Sequence, residues 1–177
     1  MNDVTVIGGG AAGMAAAIAA AQAGAAVTVY EPNDRLGRKL RITGKGRCNV
    51  TNDCSPVEVL ENVTKNPKFL TGAVYRFTPA DTMEFFETHG VPLKVERGRR
   101  VFPVSDRAAD IAAAMQHEME HLGVRVVHER VTGLLLPPEG GCAGVLTERG
   151  AHGSDAVIVA TGGASYPATG SRGDGYR

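Results

Sequence analysis

The chain has 177 residues, of which 43% are hydrophobic, and this is enough for one domain with a buried core. Its 19 basic and 19 acidic residues cancel, which argues against nucleic acid or an anionic membrane as the main partner. The alanine-rich stretch after Gly13 is too short and too weakly apolar to span a bilayer, and no signal-peptide pattern precedes the first strand. We therefore expect a cytoplasmic protein with small-molecule partners, no nucleic-acid partner and no membrane partner.

The first 31 residues follow the order strand, glycine turn, helix, strand and acid. Residues 4–7 form a short apolar run typical of a strand, and the alanine-rich residues 11–23 predict a helix that Gly24 ends. A second strand is predicted for residues 27–30, and Glu31 follows it directly. This order is typical of a dinucleotide-binding βαβ unit.

Three glycines after the first strand have the spacing G-x-G-x-x-G. Gly8 permits the tight turn, Gly10 lets a diphosphate approach the backbone, and Gly13 lets the helix lie close to the sheet. The helix N-terminus attracts phosphate groups through its unpaired N–H groups and partial positive charge. Glu31 can accept hydrogen bonds from both hydroxyls of an adenosine ribose, and its charge argues against a 2′-phosphate there.

Residues 32–52 contain many glycines and cations and little periodicity, which predicts a long functional loop. Arg38 and Lys39 could neutralise a diphosphate, and the alternative is a pair of solvated surface cations. A second glycine-rich part at residues 43–49 could face a flavin ring or a substrate, or it could be a plain mobile loop. Cys48 and Cys54 are more consistent with buried or incidental thiols than with a redox pair.

Further elements are predicted downstream in chain order. They are a short helix capped by Ser55, a helix from Thr78 to about His89, a hairpin over residues 93–102, a helix from Ser105 to Leu122, a strand over residues 124–128, a β-meander over residues 131–136 and 143–148, and a buried strand over residues 156–160. The turn at Thr161 and Gly162 then lies at the carboxyl edge of the sheet, where open α/β sheets bind ligands. The predicted fold class is α/β, with a doubly wound, mostly parallel sheet and a β-meander crossover. No helix pattern follows the last strand, so we expect the N-terminal part of a longer protein.

A rival signal lies on the helix that Ser105 is predicted to cap. His117, Glu118 and His121 fit the pattern H-E-x-x-H, which in metallopeptidases places two zinc ligands and a general base on one helix face. No third histidine has the spacing of a zinc site, and Gly123 ends the helix at once. A zinc hydrolase is therefore kept only as an alternative, and no metal is expected.

Four segments together resemble one family of flavoproteins. They are VIGGGAAGM at residues 6–14, GRKLRITGKGRCNVTN at residues 37–52, RVFPVS at residues 100–105 and ATGGASYP at residues 160–167. In combination they resemble the BaiN/YhiN-like NAD(P)/FAD-dependent oxidoreductases, also called the aminoacetone-oxidase-family FAD-binding proteins. Lys45 stands where that family often has glycine.

The resemblance implies FAD in an extended pose within the two-dinucleotide-binding-domain flavoprotein fold. Its implied contacts are the pyrophosphate at Gly8, Gly10, Ala12 and Gly13, the ribose at Glu31, the phosphates along Arg38 and Lys39, the flavin side at Gly46, Arg47, Cys48 and Asn49, the adenine at Val131, and the cofactor edge at Thr161 and Gly162. The turn at residues 173–175 is implied on the flavin side. Residues 1–50 and 103–177 would form the FAD-binding domain, and residues 51–102 would be an insertion that begins a second lobe.

The implied activity is hydride transfer between a nicotinamide or organic substrate and the flavin, with NAD(P)H as reductant. Members of that family are much longer than this chain, and their remaining part completes the flavin pocket. The chain alone is therefore expected to be inactive, and no acid, base or nucleophile is assigned. An NAD-binding Rossmann protein without flavin is the main alternative.

Overall fold

A computed structural model describes residues 2–165, 167–169 and 172–176. The chain divides into two compact units, one formed by Met1–Leu40 with Met115–Arg177 and the other by Arg41–Ala114. The domain boundaries expected from the sequence, after residues 50 and 102, remain a prediction.

Short strands and helices alternate along the chain. The strands are β1 (Asp3–Ile7), β2 (Ala26–Tyr30), β3 (Thr51–Asn52), β4 (Leu93–Glu96), β5 (Arg100–Pro103), β6 (Arg125–Val127), β7 (Val131–Leu135), β8 (Gly144–Thr147), β9 (Gly150–Gly153) and β10 (Ala156–Val159). The helices are α1 (Ala11–Gln22), α2 (Pro56–Glu61), α3 (Pro67–Arg76), α4 (Pro79–Thr88) and α5 (Ala108–His121).

A four-stranded parallel sheet forms the centre of the first unit, in the order β10-β1-β2-β6. Ile7 pairs with both Val159 and Tyr30, so three strands end side by side. The segments that follow β1, β2 and β10 therefore meet at one edge of the sheet, as expected for a parallel α/β sheet. The predicted parallel fold class is confirmed.

Helix α1 packs against β1, β2 and β10 through a face of small and apolar side chains. Met14, Ala17 and Ile18 are buried on that face, and Val29 is fully buried in the sheet. The alanines allow close approach of helix and sheet. Gly24 (φ +87°) follows the helix, where the sequence predicted its end.

The predicted meander is an antiparallel sheet of β7, β8 and β9. Its Val145 is fully buried in a cluster with Ile7 and Tyr30, so the meander packs on the parallel sheet. Strand β9 was not predicted, because its sequence Gly-Ala-His-Gly has low β-propensity. Pairing with β8 orders it nonetheless.

The second unit contains the sheet β3-β5-β4 and helices α2, α3 and α4. Capping boxes at Ser55 and Thr78 start α2 and α4, as predicted. Helix α3 was not predicted, because its N-cap Asn66 adopts a left-handed conformation (φ 56°) and makes no side-chain cap hydrogen bond. Helix α5 begins at Ala108, later than predicted. Within the described residues, no helix combines the length and apolar character needed to cross a bilayer.

Candidate dinucleotide-binding site

The turn between β1 and α1 has the geometry of a phosphate loop. Gly8 has φ +106°, and an added Cβ would lie 2.6 Å from the carbonyl oxygen of Ala160, so the position requires glycine. The Gly8 N–H donates to the Tyr30 carbonyl oxygen at 2.8 Å. Gly10 is the N-cap of α1 and provides no side-chain cap. An added Cβ at Gly10 would have no neighbour within 4 Å, so the helix N-terminus is accessible there.

Gly13 has a different physical role from Gly10. A Cβ added to Gly13 would lie only 1.8 Å from the carbonyl oxygen of Gly8. The first turn of α1 therefore packs directly on the backbone of the turn before it, and Ala12 beside it is exposed. Gly13 thus shapes the loop, whereas Gly10 leaves space in front of it.

Glu31 is buried at the end of β2 and hydrogen-bonds to the glycine turn. Its Oε2 accepts a hydrogen bond from the Gly9 N–H at 2.8 Å, and its Oε1 accepts one from the Asn33 N–H at 2.9 Å. The Glu31 N–H donates to the Val127 carbonyl oxygen at 3.0 Å, which anchors the residue to β6. The carboxylate is therefore fixed beside the phosphate loop.

Asn33 connects Glu31 to a predicted phosphate-binding cation. Its side-chain amide donates to Glu31 Oε1, and its Oδ1 accepts from the Arg38 guanidinium. The Asn33 carbonyl oxygen also lies 2.6 Å from the His128 ring nitrogen Nδ1. This chain of contacts places exposed Arg38 on the same edge as Glu31.

The loop after β2 folds back onto the glycine turn. The Gly37 N–H donates to the Gly9 carbonyl oxygen at 2.8 Å, and the buried Leu36 side chain fills the space where a Gly9 Cβ would be. Both sides of the Gly9 peptide are thus held, its N–H by Glu31 and its carbonyl by Gly37. Lys39 is half-buried in the same segment.

Val131, the predicted adenine contact, begins β7. It packs against the buried cluster of Ile7, Tyr30 and Val145, at the carboxyl ends of β1 and β2. The start of the meander therefore lies on the same edge of the sheet as the glycine turn.

Thr161 and Gly162 follow β10 at this edge, as predicted. Gly162 has φ +76°, and a Cβ added to Gly175 would lie 2.6 Å from Thr161 Oγ1. The turn at residues 173–175 therefore lies against Thr161. Tyr166 of the ATGGASYP segment lies outside the described residues.

In the second unit, Arg47 is bound by carboxylates of that unit. Its guanidinium contacts Glu96 and lies 2.7 Å from Asp106 Oδ1, and its Cζ lies 4.3 Å from the centre of the Phe102 ring. Lys94 Nζ contacts Asp106 Oδ2 at 2.7 Å. The hydrogen bonds with Glu96 and Asp106 raise the pKa of Arg47, and those from Lys94 and Arg47 lower the pKa of Asp106.

The neighbours of Arg47 are also engaged within their unit. Cys48 is buried, and burial raises the pKa of its thiol. The Asn49 amide nitrogen, in the orientation that satisfies its neighbours, donates to the carbonyl oxygens of Val101 (3.2 Å) and Thr51 (3.0 Å). Gly46 has φ +86°, and an added Cβ would meet no atom within 4 Å. The backbone N–H groups of Arg47 and Cys48 are also engaged, with the carbonyl oxygens of Gly44 (3.3 Å) and Thr43 (3.0 Å).

Lys45 departs from the glycine common in the resembling family, and its conformation explains why glycine suits this position. Its φ is 61°, between Gly44 (φ 56°) and Gly46 (φ 86°). Three consecutive residues thus adopt the left-handed region, which a lysine enters only at a cost of about 1–3 kcal/mol.

The zinc alternative is not supported by the described residues. His117 and His121 are exposed on α5, and Glu118 accepts a hydrogen bond from Gln22 at 3.4 Å. No group of three or more His, Cys, Asp or Glu side chains in the described part of the chain could hold a metal ion.

Comparison with known proteins identifies the family. The model of the HI0933-like protein Rossmann domain matches residues 2–177, which is nearly the whole chain. The chain belongs to the HI0933-like Rossmann-domain family. This confirms the resemblance to FAD-dependent oxidoreductases of the BaiN/YhiN type.

Curated relatives match almost the full chain. The 3-dehydro-bile acid delta(4,6)-reductase of Clostridium scindens is 35% identical over 99% of this chain. The ribosomal RNA dihydrouridine synthase of Escherichia coli is 31% identical over 99% of this chain. The chain spans 42% and 43% of the lengths of these relatives.

Solved structures share the fold. The open conformation of a flavocytochrome c3 fumarate reductase has a TM-score of 0.71 at 23% identity, covering 92% of this chain and 34% of that one. The 3-ketosteroid-delta4-(5alpha)-dehydrogenase of Rhodococcus jostii RHA1 has a TM-score of 0.69 at 19% identity, covering 93% and 46%. These two structures therefore have the same overall fold as this chain.

Three residues contribute to the site but were not predicted from the sequence: Asn33, Leu36 and Gly37. Asn33 follows Glu31 and Pro32, and an asparagine two residues after an acid at a strand end is a turn signal that could have been used. The roles of Leu36 and Gly37 depend on the return of the loop to Gly9, which has no local pattern.

Proposed function

We propose that the first unit binds the ADP half of FAD, with the diphosphate at the N-terminus of α1, the ribose at Glu31 and the adenine near Val131. The observation that carries this proposal is the fixation of the Glu31 carboxylate by the Gly9 N–H, directly beside the accessible N-cap at Gly10. Phosphate groups favour such a helix start because its N–H groups are unpaired.

The hydrogen bonds already made by Glu31 refine how it would hold a ribose. A carboxylate has about four acceptor sites. Oε1 accepts from both the backbone and the side chain of Asn33, whereas Oε2 accepts only from Gly9 among the described residues. One ribose hydroxyl could therefore bind Oε2 directly. A second would displace the Asn33 amide or share Oε1 with it.

We further propose that the protein containing this chain is a flavin-dependent oxidoreductase that reduces a carbon–carbon double bond. The names of the Clostridium scindens and Escherichia coli relatives describe such a reduction, of a 3-dehydro-bile acid in one case and of uridine in ribosomal RNA in the other. When bound, FAD would supply the hydride chemistry, and NAD(P)H is the proposed reductant. This chain would contribute the orientation of the adenosine and diphosphate groups, and a cytoplasmic location is part of the proposal.

Two substrate classes are candidates, a steroid-like small molecule and an RNA uridine. The RNA candidate is favoured by one feature of the second unit, an acid-free segment between Glu61 and Asp81 that carries three cations. It would revise the expectation of no nucleic-acid partner, which depended on the zero net charge and the lack of a long basic run in the sequence.

The test is reconstitution of the purified chain with FAD, followed by gel filtration and an absorbance scan from about 300 to 550 nm, where oxidised flavins absorb. Co-elution of flavin absorbance with the protein is expected. A parallel titration with NAD tests the alternative of a Rossmann protein without flavin. Binding of NAD but not FAD would contradict the proposal. Titration of a longer, flavin-loaded form of the protein with NADH and NADPH then identifies the reductant.

A further inference from the structure

An acid-free segment of the second unit forms an exposed helix with an unusual surface. Between Glu61 and Asp81 the sequence has no aspartate or glutamate but contains Lys65, Lys68 and Arg76. Within the described part of the chain, none of these three cations forms an ion pair. Local positive charge is therefore concentrated in this segment, although the net charge of the whole chain is zero.

Helix α3 directs its aromatic side chains away from its packed side. Its half-buried positions, Pro67, Leu70 and Val74, recur at helical spacing, and α3 packs against α2. Phe69 is 81% exposed and Tyr75 is 54% exposed. No residue of α3, all of which the structure describes, is buried.

On the exposed side of α3, each aromatic residue shares a row of the helix surface with one cation. Lys68 and Tyr75 are seven residues apart, as are Phe69 and Arg76, so each pair lies along one face about two turns apart, or about 10 Å. Gly72 lies between the two ends of these rows and has no side chain, so the helix surface is recessed at its middle. We name the surface formed by Lys68, Phe69, Tyr75 and Arg76 the α3 face. Phe77, 58% exposed, follows it directly.

We propose that the α3 face binds single-stranded RNA. Exposed aromatic rings provide stacking surfaces for unpaired bases, and neighbouring Lys and Arg side chains neutralise the phosphates between them. The positive charge of this surface favours a polyanion as its ligand. The exposed aromatic rings favour unpaired bases over a double helix. This inference rests on the RNA candidate of the proposed function and deepens it, because it assigns the surface that would hold the RNA strand.

The absence of tryptophan from the chain allows a direct test. The variant F69W has a single tryptophan on the α3 face, and the variant L136W has one at Leu136, which is 67% exposed in the first unit. Addition of a 12-nucleotide oligouridine is expected to quench the emission of F69W by stacking and to leave that of L136W unchanged. Equal quenching of both, or of neither, would overturn the proposal.

Affinity measurements test the cations and the ring separately. By fluorescence anisotropy with a labelled 12-nucleotide oligouridine, Phe69→Leu is expected to weaken binding about tenfold, because leucine keeps apolar area but loses the stacking ring. Lys68→Gln should reduce the slope of log affinity against log salt by about 0.7. The matched control is Arg125→Gln, an exposed cation of the first unit, which should leave affinity and slope unchanged.

Two further measurements test whether a membrane surface or another part of a longer protein covers the α3 face instead. Vesicles of phosphatidylglycerol and phosphatidylcholine that bind the chain through Phe69, with no oligouridine binding, would identify a membrane surface and overturn the proposal. In a longer form of the protein, loss of acrylamide quenching of F69W would show that other parts of that protein cover the α3 face. This result would also overturn the proposal.

FAD co-elution is measured on the same samples to separate the two proposals. Oligouridine binding without FAD binding would contradict the proposed function but would agree with RNA binding at the α3 face. FAD binding without oligouridine binding would contradict the α3 face alone.

Discussion

The Glu31 carboxylate and the Gly9 backbone N–H are 2.8 Å apart, in a buried hydrogen bond that joins the end of β2 to the glycine turn. Because the two residues are 22 positions apart, this contact fixes the second strand relative to the phosphate loop. The residue expected to hold the ribose is therefore also a structural part of the loop.

This dual role predicts different results for two substitutions of Glu31. Glu31→Ala should weaken FAD binding by about 1–3 kcal/mol, roughly five- to 150-fold, and should also lower the melting temperature by leaving the buried Gly9 N–H unpaired. Glu31→Gln keeps one carbonyl oxygen for Gly9, so it should preserve stability better while still weakening FAD binding. FAD titration and thermal unfolding measure both effects. Asp34→Ala, at an exposed acid nearby, is the control. Unchanged FAD affinity in both Glu31 variants would mean that the ribose is held elsewhere.

The two glycines of the fingerprint should respond differently to one added methyl group. Gly13→Ala places a Cβ 1.8 Å from the Gly8 carbonyl oxygen, so we expect a marked loss of stability even without FAD. Gly10→Ala meets no atom within 4 Å, so the fold should be retained while diphosphate binding weakens. Gly10→Val should weaken it further. Thermal unfolding without ligand, followed by FAD titration, separates the two effects. Normal FAD loading of Gly10→Val would contradict the proposed pose.

Asn33 should contribute to cofactor binding, although no sequence motif predicted this role. Asn33→Ala removes the side-chain contacts with Glu31 and Arg38, so the carboxylate and the guanidinium lose their common partner. We expect FAD affinity to fall several-fold, about 1 kcal/mol, by titration. Asn62→Ala, at an exposed asparagine of the second unit, is the matched control. An affinity equal to that of the control would limit Asn33 to a role in the loop alone.

The Arg47 cluster predicts a pH-dependent stability. The hydrogen bond from Arg47 lowers the pKa of Glu96 below its ordinary value of 4.5, and hydrogen bonds from Lys94 and Arg47 lower the pKa of Asp106 below its ordinary value of 3.8. Their contribution to stability is therefore fully present above about pH 4.5 and is lost as the pH falls through the lowered values. Arg47→Met should lower the melting temperature at pH 7, and its difference from the unmodified chain should shrink on acidification.

The control for this prediction is Arg107→Met, because the exposed Arg107 contacts a single half-buried carboxylate, Asp110, in the same unit. A single pair with an exposed cation contributes little. A pH-independent difference for Arg47→Met would mean that packing on Phe102, rather than charge, is what Arg47 contributes.

The cysteines should differ in reactivity. Cys48 is 4% exposed and burial raises the pKa of its thiol, whereas Cys54 and Cys142 are partly exposed. Iodoacetamide should therefore modify Cys54 and Cys142 well before Cys48, as peptide mass spectrometry over time would show. Preferential modification of Cys48 would instead favour a redox role for the pair of Cys48 and Cys54.

The sequence by itself determined the first βαβ unit, its glycine turn and the capped helices α2 and α4. Each of these depends on chemistry within a few residues: the spacing of glycines, a side chain that caps its own helix, or an apolar run that ends in a turn. The family resemblance extended this local information along the whole chain, and the family match confirms it.

Tertiary structure alone decided which partners the site residues have. Arg47 contacts carboxylates 49 and 59 positions away, and strand β9 exists because β8 pairs with it. The outward direction of Phe69 follows from the side of α3 that packs on α2, which composition does not encode. The physical reason is that hydrogen bonds within a turn or helix are specified locally, whereas burial and charge pairing depend on segments that only folding brings together.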